Sequence, residues 1–418
     1  MKSDLDRLMG ERNLDWIVVE GPDGLGSANP DFNWFVRGQQ LTGLVLKRRG
    51  APAILLHSAW EENQARETGL DLIPFSRWNL RDILNAAPSR FDGLVEYRRQ
   101  IFADLGVGGR VGIYGTVSAG PHFALMTALA QRMPGLEIVA EHEKDVISQA
   151  RLTKDPEEVE LLRDVGRKAA AVVQAVVDYL KTGRPADGGL TDADGRPMTL
   201  GDVHALIRRE SAAQGLENPQ GFIFAQGRDA GLPHAHGDPS EPLRLGAAIV
   251  FDFYPRAAGG GYYHDMTRTF AIGYAPPELQ RLYDDVRGAF EHVVAEFEPG
   301  APTKVYQDMT CAYFEARGHE TIGSKYPIEA GYIHSLGHGI GLEVHEDFGF
   351  PALQDRGDTL VPGAVFTVEP GLYYPERGLG VRIEDTFYLR PDGTFESLTP
   401  FPKDLVIPVG GGGPQETV

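Results

Sequence analysis

A single cysteine, Cys311, stands in 418 residues, so no disulfide can close within the chain and nothing ties it to an oxidising compartment. No apolar run approaches the roughly 20 residues that a membrane-crossing helix needs, so no membrane partner is expected. Positive charge is also scarce: 40 Lys and Arg face 59 Asp and Glu, a formal net charge of −19. Nucleic acid is held by a basic face, so it is not expected as a main partner. The opening residues, MKSDLDRLMGERNLD, are polar and of mixed charge and lack the apolar core of a signal peptide. A cytoplasmic location is the expectation. No G-x-S-x-G occurs, Cys311 falls in a helical stretch away from every motif, and an H-E-x-x-H reading at His345 fails because position 349 is glycine. Serine, cysteine and H-E-x-x-H zinc hydrolases are thereby excluded.

The length exceeds what one core serves, and two domains are expected: residues 1–150, residues 151–408, and a flexible tail at 409–418. The first reads as α/β. LDWIVVEG, TGLVLKRRGAPAILLH and RVGIYG are short Val/Ile/Leu-rich runs bounded by turn residues, and FDGLVEYRRQIFADL has helical spacing. Gly106, Gly108 and Gly112 imitate a dinucleotide-binding pattern, but the order is helix then strand, the reverse of what that motif requires. The second domain opens on a long amphipathic helix with Asp155 as N-cap, Pro156 at the first helical position and Glu158 closing a capping box. GRPADGGLTDADGRPMT reads as a loop. Thr199 and Asp202 start a further helix, and two more follow in PELQRLYDDVRGAFEHVVAEF and KVYQDMTCAYFEARG. Two β-hairpins accompany them, GAAIVFDFYP with YYHDMTRTFAIG and GAVFTVEPGLYYP with GVRIEDTFYL. The second domain is therefore α+β with a mostly antiparallel sheet.

Those hairpins carry an anomaly. Asp252 interrupts AAIVFDF and Asp265 precedes MTRTF on the returning strand; Glu369 interrupts VFTVEPG and Glu384 sits in VRIED on its partner. Asp and Glu are rarely fully buried unless paired or bound to a cation. Four carboxylates converging on one point repel, and divalent cations would cancel that charge. Between the hairpins lies HSLGHGIGLEVHE, with His334, His338 and His345. An oxygen-rich site with one imidazole suits Mn, Co or Zn, and the donor set does not choose among them; Mn is the expectation.

HAHGDPSEPLRLGAAIVFDF, GYYHDMTRTF, HSLGHGIGLEVHE, FTVEPGLYY and GVRIEDT resemble, in order, the motifs of the M24 metallopeptidases, over roughly residues 150–405. That group includes aminopeptidase P, prolidase and methionine aminopeptidase. The resemblance implies the pita-bread fold and two divalent metal ions per chain, held by Asp252, Asp265, His338, Glu369 and Glu384. Asp265 and Glu384 would bridge the ions, Asp252 would hold one, and His338 and Glu369 the other. Glu369 would also carry a proton to the leaving nitrogen. His234 would contact the peptide, and His334 and His345 would donate hydrogen bonds to the carbonyl or oxyanion. Arg382, two residues before Glu384, would orient the carboxylates, with Thr267 in support. His236 and His264 read as structural. The first domain resembles, more loosely, the N-terminal domain of aminopeptidase P and prolidase, as in RNLD at residues 12–15.

The implied activity is hydrolysis of the Xaa-Pro bond at the N-terminus of short proline-containing peptides, with dipeptides favoured over longer ones. A homodimer is implied as well. Arg256 or Arg356 could supply a positive group for a dipeptide's carboxylate. The competing classes are a non-catalytic pita-bread binding module and a metal-free creatinase-type amidinohydrolase; both are disfavoured because all five ligand positions are filled. The chain departs from the family after Asp252, where Phe253 and Tyr254 replace a small residue and glycine and PRAAGGG lengthens the turn. An even insertion keeps Asp252 and Asp265 on one strand face. His334 and His338 share a parity that His345 does not, so a turn or bulge at the glycines is needed to bring His345 round.

Overall fold

The computed structural model describes residues 1–22 and 29–410; most of the expected tail lies outside the described residues. The chain divides into two compact units, Met1–Arg151 with Gly259–Gly261, and Leu152–Ala258 with Tyr262–Val418.

The first unit is a six-stranded mixed sheet, in spatial order Asp71–Pro74, Ala53–His57, Gly43–Arg48, Trp16–Glu20, Gly109–Tyr114 and Leu136–Val139. The inner strand Trp16–Glu20 pairs antiparallel with Gly43–Arg48 and parallel with Gly109–Tyr114. The helix Arg90–Leu105 begins where Ser89 accepts from the Asp92 backbone N–H and ends at Gly106, whose positive φ of 70° stops it. Its Val95, Ile101 and Phe102 pack with Val18, Leu44 and Val111 of the sheet.

In the second unit the helix Pro156–Lys181 starts at the capping box, where Glu158 Oε2 accepts from the Asp155 backbone N–H at 2.7 Å. Its Val165, Ala169, Val173, Val176 and Leu180 recur on one face and are buried with Val203 and Ile207 of the helix Leu200–Ala213. The helices Pro277–Ala295 and Thr303–Glu315 belong to a second core, with Phe366, Phe387 and Val381. No helix among the described residues is long and apolar enough to cross a membrane.

Strand alternation places the polar residues between these cores. In the hairpin Ile249–Phe253/Met266–Ile272, Ile249, Phe251, Phe253, Met266, Phe270 and Ile272 enter the core with the long helix. Asp252, directly across from Thr267, takes the other face. The second hairpin is split. Val365–Val368 pairs with Asp385–Leu389 in a five-stranded sheet, while Gly371–Tyr374 pairs with Leu379–Arg382 in a separate ribbon. Glu369 and Glu384 both lie at the break, where the regular ladder stops; Glu384 N–H instead donates to the Thr267 carbonyl, linking the two hairpins.

The stretch read as a loop after the long helix contains a small hairpin, Arg184–Ala186 with Gly189–Thr191. Asp187 and Gly188, at φ of 47° and 78°, supply the two positive φ values of a tight two-residue turn. The Asp-Gly pair was the sequence signal for it.

Candidate metal and peptide site

Asp265, His338 and Glu384 each present one ligand atom, and these atoms lie within 4.8 Å of one another. His338 Nε2 is 3.7 Å from Asp265 Oδ2 and 3.5 Å from Glu369 Oε1, so Glu369 joins the group through the imidazole. Asp252 is placed differently. Its Oδ2 accepts from Arg382 Nη2 at 2.5 Å and its Oδ1 faces the Thr267 hydroxyl at 3.0 Å. That hydroxyl also lies 2.8 Å from Glu384 Oε2 and accepts from Arg382 Nε at 3.0 Å. With one proton to give, Thr267 can donate to Asp252 or to Glu384, not both.

Burial and mutual repulsion disturb these acids. Burial first, then Glu384 and Asp252, raise the Asp265 carboxyl well above its usual range, and burial with Glu384 does the same to Glu369. Glu384 is pushed up to about 8, by burial and then Asp252. Burial and the neighbouring His345 depress His338 to about 3, so its imidazole is neutral with a lone pair available to a cation. Among the described residues, Asp265 Oδ1 and Glu384 Oε1 are buried and find no hydrogen-bond partner. Buried carboxylate oxygens without donors, beside a neutral imidazole, fit a divalent cation and fit little else.

These residues line a cavity of about 690 Å³, together with His234, Tyr254, His334, His345 and Arg382. A two-residue strand, His338–Gly339, carries the ligand histidine; its backbone N–H donates to Thr367 Oγ1 at 3.1 Å. The chain then turns through 340–345 and re-pairs with a register shift, Gly339 opposite Glu346. This irregularity brings His345 round despite its strand parity, its ring edge-on to His338 at 4.2 Å between centroids.

His334, expected to donate to the peptide, lines the same cavity and is held by the protein on both sides of its ring. Its Nδ1 is engaged with the Ser335 carbonyl at 2.7 Å and its Nε2 with the Tyr373 hydroxyl at 2.9 Å, leaving neither nitrogen free. Tyr373 in turn accepts from Arg382 Nη1 at 2.7 Å. A relay Arg382–Tyr373–His334 thus runs along one wall. Tyr373 was missed in the sequence, although it shares strand parity with Glu369 four residues earlier.

The other candidates lie elsewhere. Arg256 pairs with Glu217 at 2.6 Å and Arg356 pairs with Asp347, and neither lines the cavity. His236 Nδ1 contacts the Phe222 carbonyl at 2.7 Å, also outside the cavity. His264 is fully buried, with Nε2 3.2 Å from Thr399 Oγ1. Cys311 is buried in its helix.

The family model for metallopeptidase family M24 matches residues 160–391. A Bacillus subtilis protein named as a dipeptidase, YkvY, is 32% identical over 270 residues, covering 63% of this chain and 65% of the relative. The chain thus spans just under two thirds of that relative's length. The Xaa-Pro dipeptidase of Pyrococcus furiosus is 31% identical over 265 residues, 63% of this chain and 67% of the relative. Among solved structures, the X-Pro aminopeptidase of Thermotoga maritima superposes with a TM-score of 0.73 at 22% identity, covering 96% of this chain and 99% of the other. That likeness establishes a shared fold.

Proposed function

Because the chain belongs to metallopeptidase family M24, we propose that it hydrolyses the Xaa-Pro bond at the N-terminus of dipeptides and short peptides, using two divalent metal ions. The observation that carries this reading is the buried convergence of Asp265, His338, Glu369 and Glu384, with two carboxylate oxygens left without donors. Those four residues and Asp252 would hold the ions. When bound, the ions would supply Lewis acidity, polarising a peptide carbonyl and acidifying water.

The chain's own residues supply the rest. Glu369 Oε2, 4.0 Å from His334 Nδ1, faces the cavity and would take a proton and return it to the leaving nitrogen. His234 and His345 line the cavity and would hydrogen-bond the peptide's carbonyl oxygens. Arg382 holds Asp252 with one arm and, through Tyr373, the ring of His334 with another, so metal side and peptide side share one rigid guanidinium. His334 then acts as support for this wall, orienting Tyr373.

Metal analysis and a peptide panel test the reading. The protein, stripped and reloaded with Mn, Co or Zn, should cleave Xaa-Pro peptides faster than Xaa-Ala peptides, with dipeptides preferred to Xaa-Pro-Yaa. Fewer than one activating ion per chain would defeat it.

A further inference from the structure

The strand Ile249–Phe253 sends Phe251 and Phe253 into the packed core, so Asp252 and, one step past the strand's end, Tyr254 fall on the opposite face. Both line the catalytic cavity. Tyr254 is half-buried, and among the described residues no hydrogen bond holds its hydroxyl. A large aromatic ring therefore projects beside the ligand carboxylates, with its hydroxyl not tied to the protein wall among the described residues.

Tyr254 shares its strand face with Asp252, two residues before it, so the ring stands on the side of the cavity that holds the ligand carboxylates. In a peptide cut after its first residue, the carbonyl that reacts belongs to that residue and must lie at those ligands, so the side chain of the first residue shares space with the Tyr254 ring. We infer that Tyr254 is the specificity-determining residue for the first position of the substrate, restricting it to small side chains such as those of glycine, alanine and serine. This rests on the peptidase reading above and names the substrate class that reading leaves open.

The test crosses first residue with second: Ala-Pro, Leu-Pro, Phe-Pro, Ala-Ala and Phe-Ala, assayed on the metal-loaded wild type, Tyr254→Phe, Tyr254→Ala and Tyr254→Val. The wild type should prefer Ala-Pro to Phe-Pro in kcat/KM by about tenfold or more, the scale of steric discrimination in a pocket. Tyr254→Phe keeps the ring and should keep that ratio. Tyr254→Ala, or Tyr254→Val if the alanine variant melts early, should shift the ratio toward Phe-Pro by about tenfold, as expected when a wall is removed from a pocket. A ratio unchanged within about twofold in a folded Tyr254→Ala or Tyr254→Val protein overturns the inference, because a ring that restricts the subsite must be felt when removed. Equal cleavage of Ala-Pro and Ala-Ala defeats the proline preference instead, while the first-residue ratio is still read from the Xaa-Ala pair. A protein that cleaves none of the five overturns both.

Discussion

Arg382 Nη2 donates to Asp252 Oδ2 at 2.5 Å with both side chains nearly closed off from solvent. The same guanidinium reaches Thr267 through Nε and Tyr373 through Nη1, so three partners are fixed by one planar fork. Arg382→Gln removes the charge and leaves Asp252 buried without its cation, which should cost about 3–5 kcal/mol. Arg382→Lys keeps a charge but cannot reproduce the fork, and should fall between wild type and the glutamine variant. Denaturant midpoints of the metal-free proteins give the order. A glutamine variant as stable as wild type would show that the pair does not hold this wall.

Glu384→Gln separates binding from folding. The substitution is nearly isosteric and keeps an oxygen for the Thr267 hydroxyl, which lies 2.8 Å from Glu384 Oε2. It removes one of the acids that repel each other in the metal-free site. Hydrolysis should be lost and divalent-ion content reduced, while far-ultraviolet circular dichroism stays that of wild type. Full activity in this variant would move the metal site elsewhere.

The same acids set a pH dependence. Asp265, Glu369 and Glu384 are raised in the folded chain, Glu384 to about 8, so between the ordinary carboxyl range and that value the folded metal-free protein binds more protons than the unfolded one. Stability contributed by these groups is then fully present at low pH and is lost as pH rises through the folded values. The buried His338 and His264, depressed to about 3, and His334, to about 4, oppose this from those values up to the ordinary imidazole value of 6.5, where the unfolded chain takes the proton first. Metal-free protein should therefore melt lower at pH 8.5 than at pH 7, above that window, and added divalent ion should reverse the trend, since deprotonated carboxylates bind it best. Melting curves at the two pH values, with chelator and with metal, check the sign.

What could be read from the residues alone was local or anomalous. Asp155, Pro156 and Glu158 announce a helix start because a cap acts within four residues. The four acids stood out because each breaks a run otherwise fit for burial, and two hairpins repeat the violation. The break of the second hairpin at Glu369 and Glu384 was not legible, because it depends on Glu384 N–H bonding to Thr267 of the other hairpin, more than a hundred residues away. Nor were the two nitrogens of His334 legible as engaged, since Tyr373 reaches that ring only after the ribbon Gly371–Tyr374 has folded against it. Side-chain partners chosen by tertiary packing leave no spacing behind.

A second buried ion pair lies behind the histidine turn, and its removal tests how that turn is held. Lys154 Nζ is 2.6 Å from Glu346 Oε2, with the two side chains 2% and 7% exposed. Glu346 Oε1 accepts from the Leu342 backbone N–H at 3.1 Å, and a Cβ on Gly341 would sit 2.3 Å from that oxygen. The carboxylate thus plugs the turn that carries His345, one residue before it. Lys154→Met removes the ammonium that faces Glu346, and Glu346→Gln the charge that faces Lys154, so each should destabilise the fold. Lys154→Met with Glu346→Gln removes both charges at once and should cost clearly less than the sum of the two single changes, the mark of direct coupling. Gly341→Ala should destabilise as well, by forcing the carboxylate out of its seat. Denaturant midpoints of the four variants measure the coupling. Strict additivity of the two single changes would mean that the pair, despite its geometry, does not fasten the turn.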